Sequence, residues 1–193
     1  PKNNLRVGVI GAGRIGKLHA QNLTAQIPGV EVAAIADLDL KGAQTLAEQI
    51  RVSTAVEDYH TLLSDPSIDA VVVCSSTDTH AKIIVEAAQA KKHIFCEKPI
   101  ALDLEHIDLA LEAVQKTGVK LQIGFNRRLD PNFRKIRSLV AEGKIGTPHI
   151  IRITSRDPAP PPISYVKVSG GLFLDMTIHD FDMARYLIGS EVE

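Results

Sequence analysis

The feature that most constrains the fold is Gly11-Ala12-Gly13-Arg14-Ile15-Gly16, a G-x-G-x-x-G run set between an apolar segment and a helical pattern. Upstream, Leu5–Ile10 is broken only by Arg6 and Gly8 and reads as a strand buried on both faces. Downstream, residues 14–25 place Ile15, Leu18, His19 and Leu23 on one helical face. In such a strand–turn–helix the first glycine permits the tight turn and the second lets backbone approach a pyrophosphate. The third lets helix and strand pack closely, and the helix N-terminus presents N–H groups and positive dipole to phosphate oxygens. Gly11, Gly13, Arg14, Ile15 and Gly16 are therefore expected to cradle a dinucleotide. Asp37 ends the next strand about 20 residues on, where a carboxylate takes the adenosine ribose hydroxyls. It would repel a 2′-phosphate, so NAD is expected over NADP; Arg14 and Lys41 are near enough to temper that preference.

Strand and helix signals then alternate. Strands are expected at residues 30–36, 53–56, 69–74, 93–96 and 119–125, and helices at 40–50, 59–63, 79–90 and 104–116. Thr77 or Asp78 is the expected N-cap of the helix at 79–90, and Gly118 the stop after 116. Strict alternation implies βαβ units and a doubly wound parallel α/β sheet, closing as a first domain over residues 1–125. The pattern changes in residues 126–193. A helix at 131–142 is stopped by Gly143 and Gly146, and 148–155 alternates like a half-exposed strand. Residues 157–162 (DPAPPP) predict a stiff extended loop. Ser169-Gly170-Gly171 introduces an amphipathic helix to about residue 187. One helix, one strand and one helix read as the incomplete start of an α+β second domain.

Composition narrows the partners. A formal charge of -1 over 193 residues leaves no basic surplus for nucleic acid or anionic lipid, and the absence of Trp argues against base stacking. No apolar run approaches the roughly 20 residues of a membrane span, and no secretory leader is expected. Cys74 and Cys96 each sit inside an apolar run and read as small buried hydrophobes of a reducing compartment, which makes the cytoplasm the expected location. His19, His60, His93, His106 and His149 lack metal-ligand grouping and read as surface or packing residues, so no metal is expected.

Candidate chemistry lies at the strand ends and near the C-terminus. The fourth strand ends in Ser75-Ser76-Thr77-Asp78-Thr79-His80, and carboxyl ends of strands form the ligand crevice of such sheets. Ser76 and Thr77 would contact ribose or phosphate, and His80 would either hydrogen-bond locally or touch the cofactor. Lys98 follows the fifth strand in Glu97-Lys98-Pro99, and Asp175 and His179 stand four apart. By spacing alone an Asp and a His so placed usually make a local hydrogen bond, and a lysine at a strand end is most often solvated. Gathered in one cleft, the three would suit proton transfer from an alcohol. Asp182 would touch substrate or support the site, or simply be solvated. Arg127 and Arg128 would clamp an anion or polyol or form a helix-entry charge pair, with Arg127 the favoured substrate contact. Arg156 and Tyr165 border the proline loop.

These motifs in this order resemble the glucose–fructose oxidoreductase / inositol dehydrogenase family. The resemblance rests on GVIGAGRIG at the start, Glu97-Lys98-Pro99, Gly124-Phe125-Asn126-Arg127-Arg128, and Gly170-Gly171-x3-Asp175-x3-His179-Asp180-x-Asp182. The stretch from Thr154 to Arg185 looks most like the inositol 2-dehydrogenase branch. The resemblance implies a Rossmann domain that binds nicotinamide cofactor, with Glu97 among its contacts, and a second domain with a large open antiparallel sheet. It implies Lys98, Asp175 and His179 as the catalytic trio, a cis bond before Pro99, and oxidation of a secondary alcohol of myo-inositol or a related sugar. It also implies that family members continue past the equivalent of Glu193 and that a full-length form is a homo-oligomer. Two other readings share the fold: a non-catalytic NAD(P)-binding sensor or regulator, and an inactive fragment that still binds NAD. The intact trio argues for the enzyme.

Overall fold

In the computed structural model, which describes residues 4–192, six apolar runs pair side by side into one sheet. They are β1 (Leu5–Ile10), β2 (Val30–Ala36), β3 (Ala55–Val56), β4 (Ala70–Val73), β5 (His93–Cys96) and β6 (Leu121–Ile123). Every neighbouring pair is parallel and the order is β3-β2-β1-β4-β5-β6. The crossovers are α1 (Arg14–Gln26), α2 (Leu40–Ile50), α3 (His60–Ser64), α4 (Thr77–Gln89) and α5 (Leu104–Thr117). This is a doubly wound sheet whose connection reverses between β1 and β4, the place where such sheets open a crevice for ligand.

The two-residue period of the strands sorts their side chains into two cores. Val7, Val9, Ile35 and Val72 face one side and pack with Ala20 of α1 and Ala43 and Leu46 of α2. Ile10, Val71, Val73 and Cys96 face the other, against Leu62 of α3, Ile83, Ile84 and Ala87 of α4, and Ala110 of α5. Each large apolar side chain sealed in this way stabilises the fold by about 1.5–3 kcal/mol. Local signals set the helix ends. Asp39 and Asp103 accept from Gly42 N and His106 N as N-caps of α2 and α5, and Gly118 closes α5 in a left-handed conformation. The fourth helix begins earlier than expected, at Thr77 after an extended Ser76, so Thr77 and Asp78 lie in its first turn and neither is its N-cap. The Asp78 carboxylate there suits the positive end of the helix.

The chain divides into two compact units, Pro1–Gly124 and Phe125–Glu193. The second opens with a 3-10 turn at Asn126–Leu129, then α6 (Pro131–Ala141), with Asp130 capping Asn132 N and Phe133 N. A short α7 (Ile163–Val166) precedes a π-helical turn at Leu172–Thr177, which runs into α8 (Ile178–Ile188).

Two expectations for this unit need correction. Residues 148–155 form no strand: they have no ladder partner among the described residues, and Ile150 is 91% exposed. A period-two pattern marks a face, but a strand persists only where a neighbour takes its N–H and C=O groups. The helix after Gly171 also starts as a π turn, whose hydrogen bonds close at i+5. No helix among the described residues is long and apolar enough to cross a membrane.

Both cysteines are free thiols. Burial pushes Cys74 up to about 12, with the Glu97 charge adding to it, and pushes Cys96 up as well. Iodoacetamide at pH 8 is therefore expected to alkylate both about 10³-fold more slowly than an exposed thiol, and rapidly once urea is added. Fast labelling of the folded protein, or no free thiol in urea, would contradict this packing.

Candidate active site

Steric detail explains the glycine loop. Gly11 has a φ of +102°, and a Cβ there would lie 2.5 Å from the Cys74 carbonyl and 2.7 Å from Ser75 N. The turn after β1 thus presses directly on the turn after β4. A Cβ on Gly16 would fall 1.8 Å from the Gly11 carbonyl oxygen, so that position brings α1 down onto the loop. Gly13 differs: a Cβ there meets nothing within 4 Å, and the residue stands in extended conformation at the N-cap of α1. The loop is crowded from behind and open in front, at a helix N-terminus, as a pyrophosphate requires. Arg14 is exposed at the start of α1 and Ile15 half-buried beside it.

Asp37 stands at the end of β2. Its Oδ2 accepts from Ala12 N at 2.5 Å and its Oδ1 from Asp39 N at 2.8 Å. The carboxylate is thereby tied to the glycine loop, and each oxygen keeps a lone pair for a ribose hydroxyl. Asp39 is thus tied to Asp37 while it caps α2. Ser76 is exposed and Thr77 half-buried in the β4 turn beside Gly11, braced by a 2.7 Å bond between Ser75 Oγ and Thr79 Oγ1. Gly11, Gly13, Gly16, Asp37, Ser76 and Thr77 are thus assembled at the carboxyl edge of one sheet, and they fit NAD.

The Glu97-Lys98-Pro99 turn leaves β5 at that same edge, and the Lys98–Pro99 bond is cis, as the resemblance implied. Glu97 turns its carboxylate to His19 of α1, with 2.7 Å between Oε1 and Nε2, and passes over Gly124, where a Cβ would come within 3.1 Å of it. His19 in turn lies 5.0 Å from the Phe95 ring. Glu97 therefore anchors its own loop. His80 is drawn to the same turn. It is 2% exposed, with Nδ1 2.8 Å from the Pro99 carbonyl and Nε2 3.1 Å from the Ser75 carbonyl. Of its two readings the local hydrogen bond holds, and neither ring nitrogen is left for a cofactor.

The remaining candidates belong to the second unit. Asp175 lies in the π turn and accepts from the Tyr165 hydroxyl at 2.8 Å. Since the helix is widened there, a spacing of four does not stack Asp175 under His179 as in a regular α-helix. His179, in the first turn of α8, meets the Phe125 ring edge-on at 6.5 Å, and its Nδ1 is buried. Arg127 donates to Asp180 Oδ1 at 2.5 Å and to Ser155 Oγ at 3.2 Å. Arg128 makes a bidentate pair with Asp182, 2.6–3.0 Å long, and lies over the Tyr186 ring. The hydrogen bonds to Asp182 hold the Arg128 guanidinium above its ordinary range. Asp182 is 5% exposed with both oxygens on Arg128, so it is not a plainly solvated carboxylate.

Sequence patterns of two known domains match this chain: "Oxidoreductase family, NAD-binding Rossmann fold" over residues 5–125, and "GFO/IDH/MocA C-terminal domain" over residues 133–193. The chain belongs to the GFO/IDH/MocA oxidoreductase family. Among relatives, it is 57% identical over 185 residues to the Uncharacterized oxidoreductase YrbE of Bacillus subtilis, covering 96% of this chain and 54% of that protein. It is 53% identical over 189 residues to the Myo-inositol 2-dehydrogenase of Thermotoga maritima, covering 98% and 56%. A crystal structure of scyllo-inositol dehydrogenase from Lactobacillus casei with bound NAD(H) and scyllo-inositol superposes with a TM-score of 0.87 at 35% identity, covering 98% of this chain and 58% of that one. The chain spans about half the length of the curated relatives it matches. Family membership fits the first unit as an NAD-binding Rossmann fold.

Residues that sequence reasoning passed over are His19, given only a surface or packing role, and Ser155. His19 did leave a signal, as a polar ring on the apolar stripe of the helix that follows the glycine loop. The glycines separate structure from binding in a testable way. Gly16→Ala is expected to destabilise the protein by about 1–3 kcal/mol, because the new methyl meets backbone. Gly13→Ala should leave Tm within about 2 °C yet raise the NAD Kd about 10-fold or more, since its methyl fills the phosphate approach. Equal effects of both on Tm, with NAD binding unchanged for Gly13→Ala, would contradict the assignment.

Proposed function

We propose that this chain carries the cofactor-binding and proton-transfer residues of an NAD-dependent dehydrogenase that oxidises a secondary alcohol of a cyclic polyol, of the inositol class, to a ketone. The observation that carries the proposal is that Lys98 leaves β5 at the sheet edge where the glycine loop and Asp37 fit NAD. The relatives' names, and the NAD(H) and scyllo-inositol in the Lactobacillus casei structure, support the substrate class. NAD would supply the hydride acceptor.

In this proposal His179 takes the hydroxyl proton as general base. Burial of Nδ1 favours Nε2 as the nitrogen that meets the alcohol. Lys98 holds the reacting oxygen and stabilises the negative charge that develops as the proton leaves. Asp175 sits within one helical turn of His179, and its bond to Tyr165 fixes the carboxylate for a substrate hydroxyl or for the imidazolium. A guanidinium has five N–H donors. Arg127 commits donors to Asp180 and Ser155 and offers the rest to polyol oxygens. A cytoplasmic setting and homo-oligomeric assembly of a longer form belong to the same proposal.

The test is absorbance at 340 nm with NAD⁺ and a panel of inositols, sugars and sugar acids, for wild type and Lys98→Ala. The expected result is turnover with an inositol, lost about 100-fold or more in the variant while its NAD Kd stays within about threefold. Normal turnover by Lys98→Ala would remove Lys98 from the chemistry. Tight NAD binding with no turnover on any alcohol would favour a sensor.

A further inference from the structure

The turn that bears Lys98 is held by backbone and by two side chains from opposite faces of the sheet. At its start, Glu97 N donates to Val73 O at 2.9 Å and the Glu97 carboxylate is tied to His19 of α1. At its end, Pro99 has no N–H to give. Its carbonyl meets His80 of α4, 19 residues away in sequence and 2% exposed. The other nitrogen of that ring reaches the Ser75 carbonyl at the end of β4. One rigid buried imidazole therefore joins the turn after β4 to the turn after β5. Its neighbours along α4, Ala81, Ile83 and Ile84, are buried and apolar, so packing alone would be served by a hydrocarbon of similar size. A hydrocarbon would leave the buried Pro99 carbonyl oxygen without a donor, and a ring N–H supplies one.

We propose that His80 is a positioning residue that fixes Lys98 through the Pro99 carbonyl. A neutral imidazole has one N–H, and the shorter contact, 2.8 Å against 3.1 Å, assigns it to Nδ1 and Pro99. This rests on the proposed role of Lys98 in turnover, whereas the geometry of the contact does not. An asparagine amide at position 80 places its N–H₂ where Nδ1 stands. A glutamine amide reaches the Nε2 position instead. The pair separates the two contacts in side chains of comparable polarity.

The experiment compares His80→Ala, His80→Asn and His80→Gln in the whole chain, with three readouts. These are NAD affinity, steady-state kcat and KM with the best polyol of the panel, and the rate of reductive methylation of Lys98 relative to exposed Lys41, followed by peptide mass. His80→Ala is expected to lower kcat about 10- to 100-fold with KM and NAD affinity within about threefold, His80→Asn to recover most of it, and His80→Gln to stay low. Wild-type kcat in His80→Ala, or an Asn variant no better than the Gln variant, would overturn the proposal. If His80→Ala does not fold, the Asn–Gln comparison decides. If the wild-type chain oxidises no alcohol, the functional reading fails separately and methylation decides. Lys98 labelling then has to shift about fivefold in His80→Gln and return in His80→Asn, with Lys41 constant. Unchanged Lys98 labelling would sink the idea.

Discussion

The contact on which the rest of the first unit depends is the approach of α1 to the Gly11 carbonyl, possible only because Gly16 has no side chain. It sets the helix N-terminus at the reversal point of the sheet, where free N–H groups and positive dipole are useful to a phosphate. The same loop leans on the turn after β4, and through Ala12 N it holds the Asp37 carboxylate that ends β2. Three strand ends are thereby fixed to one another without any ligand. Such preorganisation reduces the ordering that a bound dinucleotide would otherwise have to impose.

The carboxyl edge is extended to β5 by a different device. Strand ladders carry β4, β5 and β6 side by side, and the bonds from Glu97 N to Val73 and Gly124 N to Cys96 continue that order past the last strand residues. The turn carrying Lys98 begins where those bonds end. Its side-chain anchors come from helices on opposite faces, His19 of α1 and His80 of α4. In the second unit the equivalent work is done by two arginine–aspartate pairs, which lock the turn at Asn126–Leu129 to α8, the helix bearing His179. The Arg128–Asp182 pair is bidentate and its carboxylate is buried, a geometry that resists sliding.

Legibility in the sequence follows the range of the forces involved. The doubly wound sheet was readable because its strands are continuous apolar runs and its helices have a helical period, both local properties. The glycine loop and Asp37 were readable from local spacing, although the backbone that Gly11 must spare, at Cys74 and Ser75, is distant in sequence. What failed was non-local. The run at 148–155 has the alternation of a strand, but no alternation reveals whether a partner strand is present. The widening at Leu172–Thr177 leaves the apolar pattern almost unchanged while moving Asp175 relative to His179. His80 and Asp182 look like site residues because both are polar and near the motifs. Their partners, Pro99 and Arg128, lie 19 and 54 residues away, so no local pattern shows that both are buried and engaged. The proposed trio of Lys98, Asp175 and His179 rests on family resemblance more than on spacing, and its members are divided between the two units.

The most direct measurement is the fate of the hydrogen on the carbinol carbon. The chain is incubated with NAD⁺ and inositols deuterated on carbon, and the reduced cofactor is weighed by mass spectrometry. Dehydrogenation predicts reduced NAD that carries deuterium from the alcohol, formed by the wild type and nearly absent with Lys98→Ala. Saturating NAD binding by calorimetry, with no deuterated reduced NAD from any of the inositols, would contradict it.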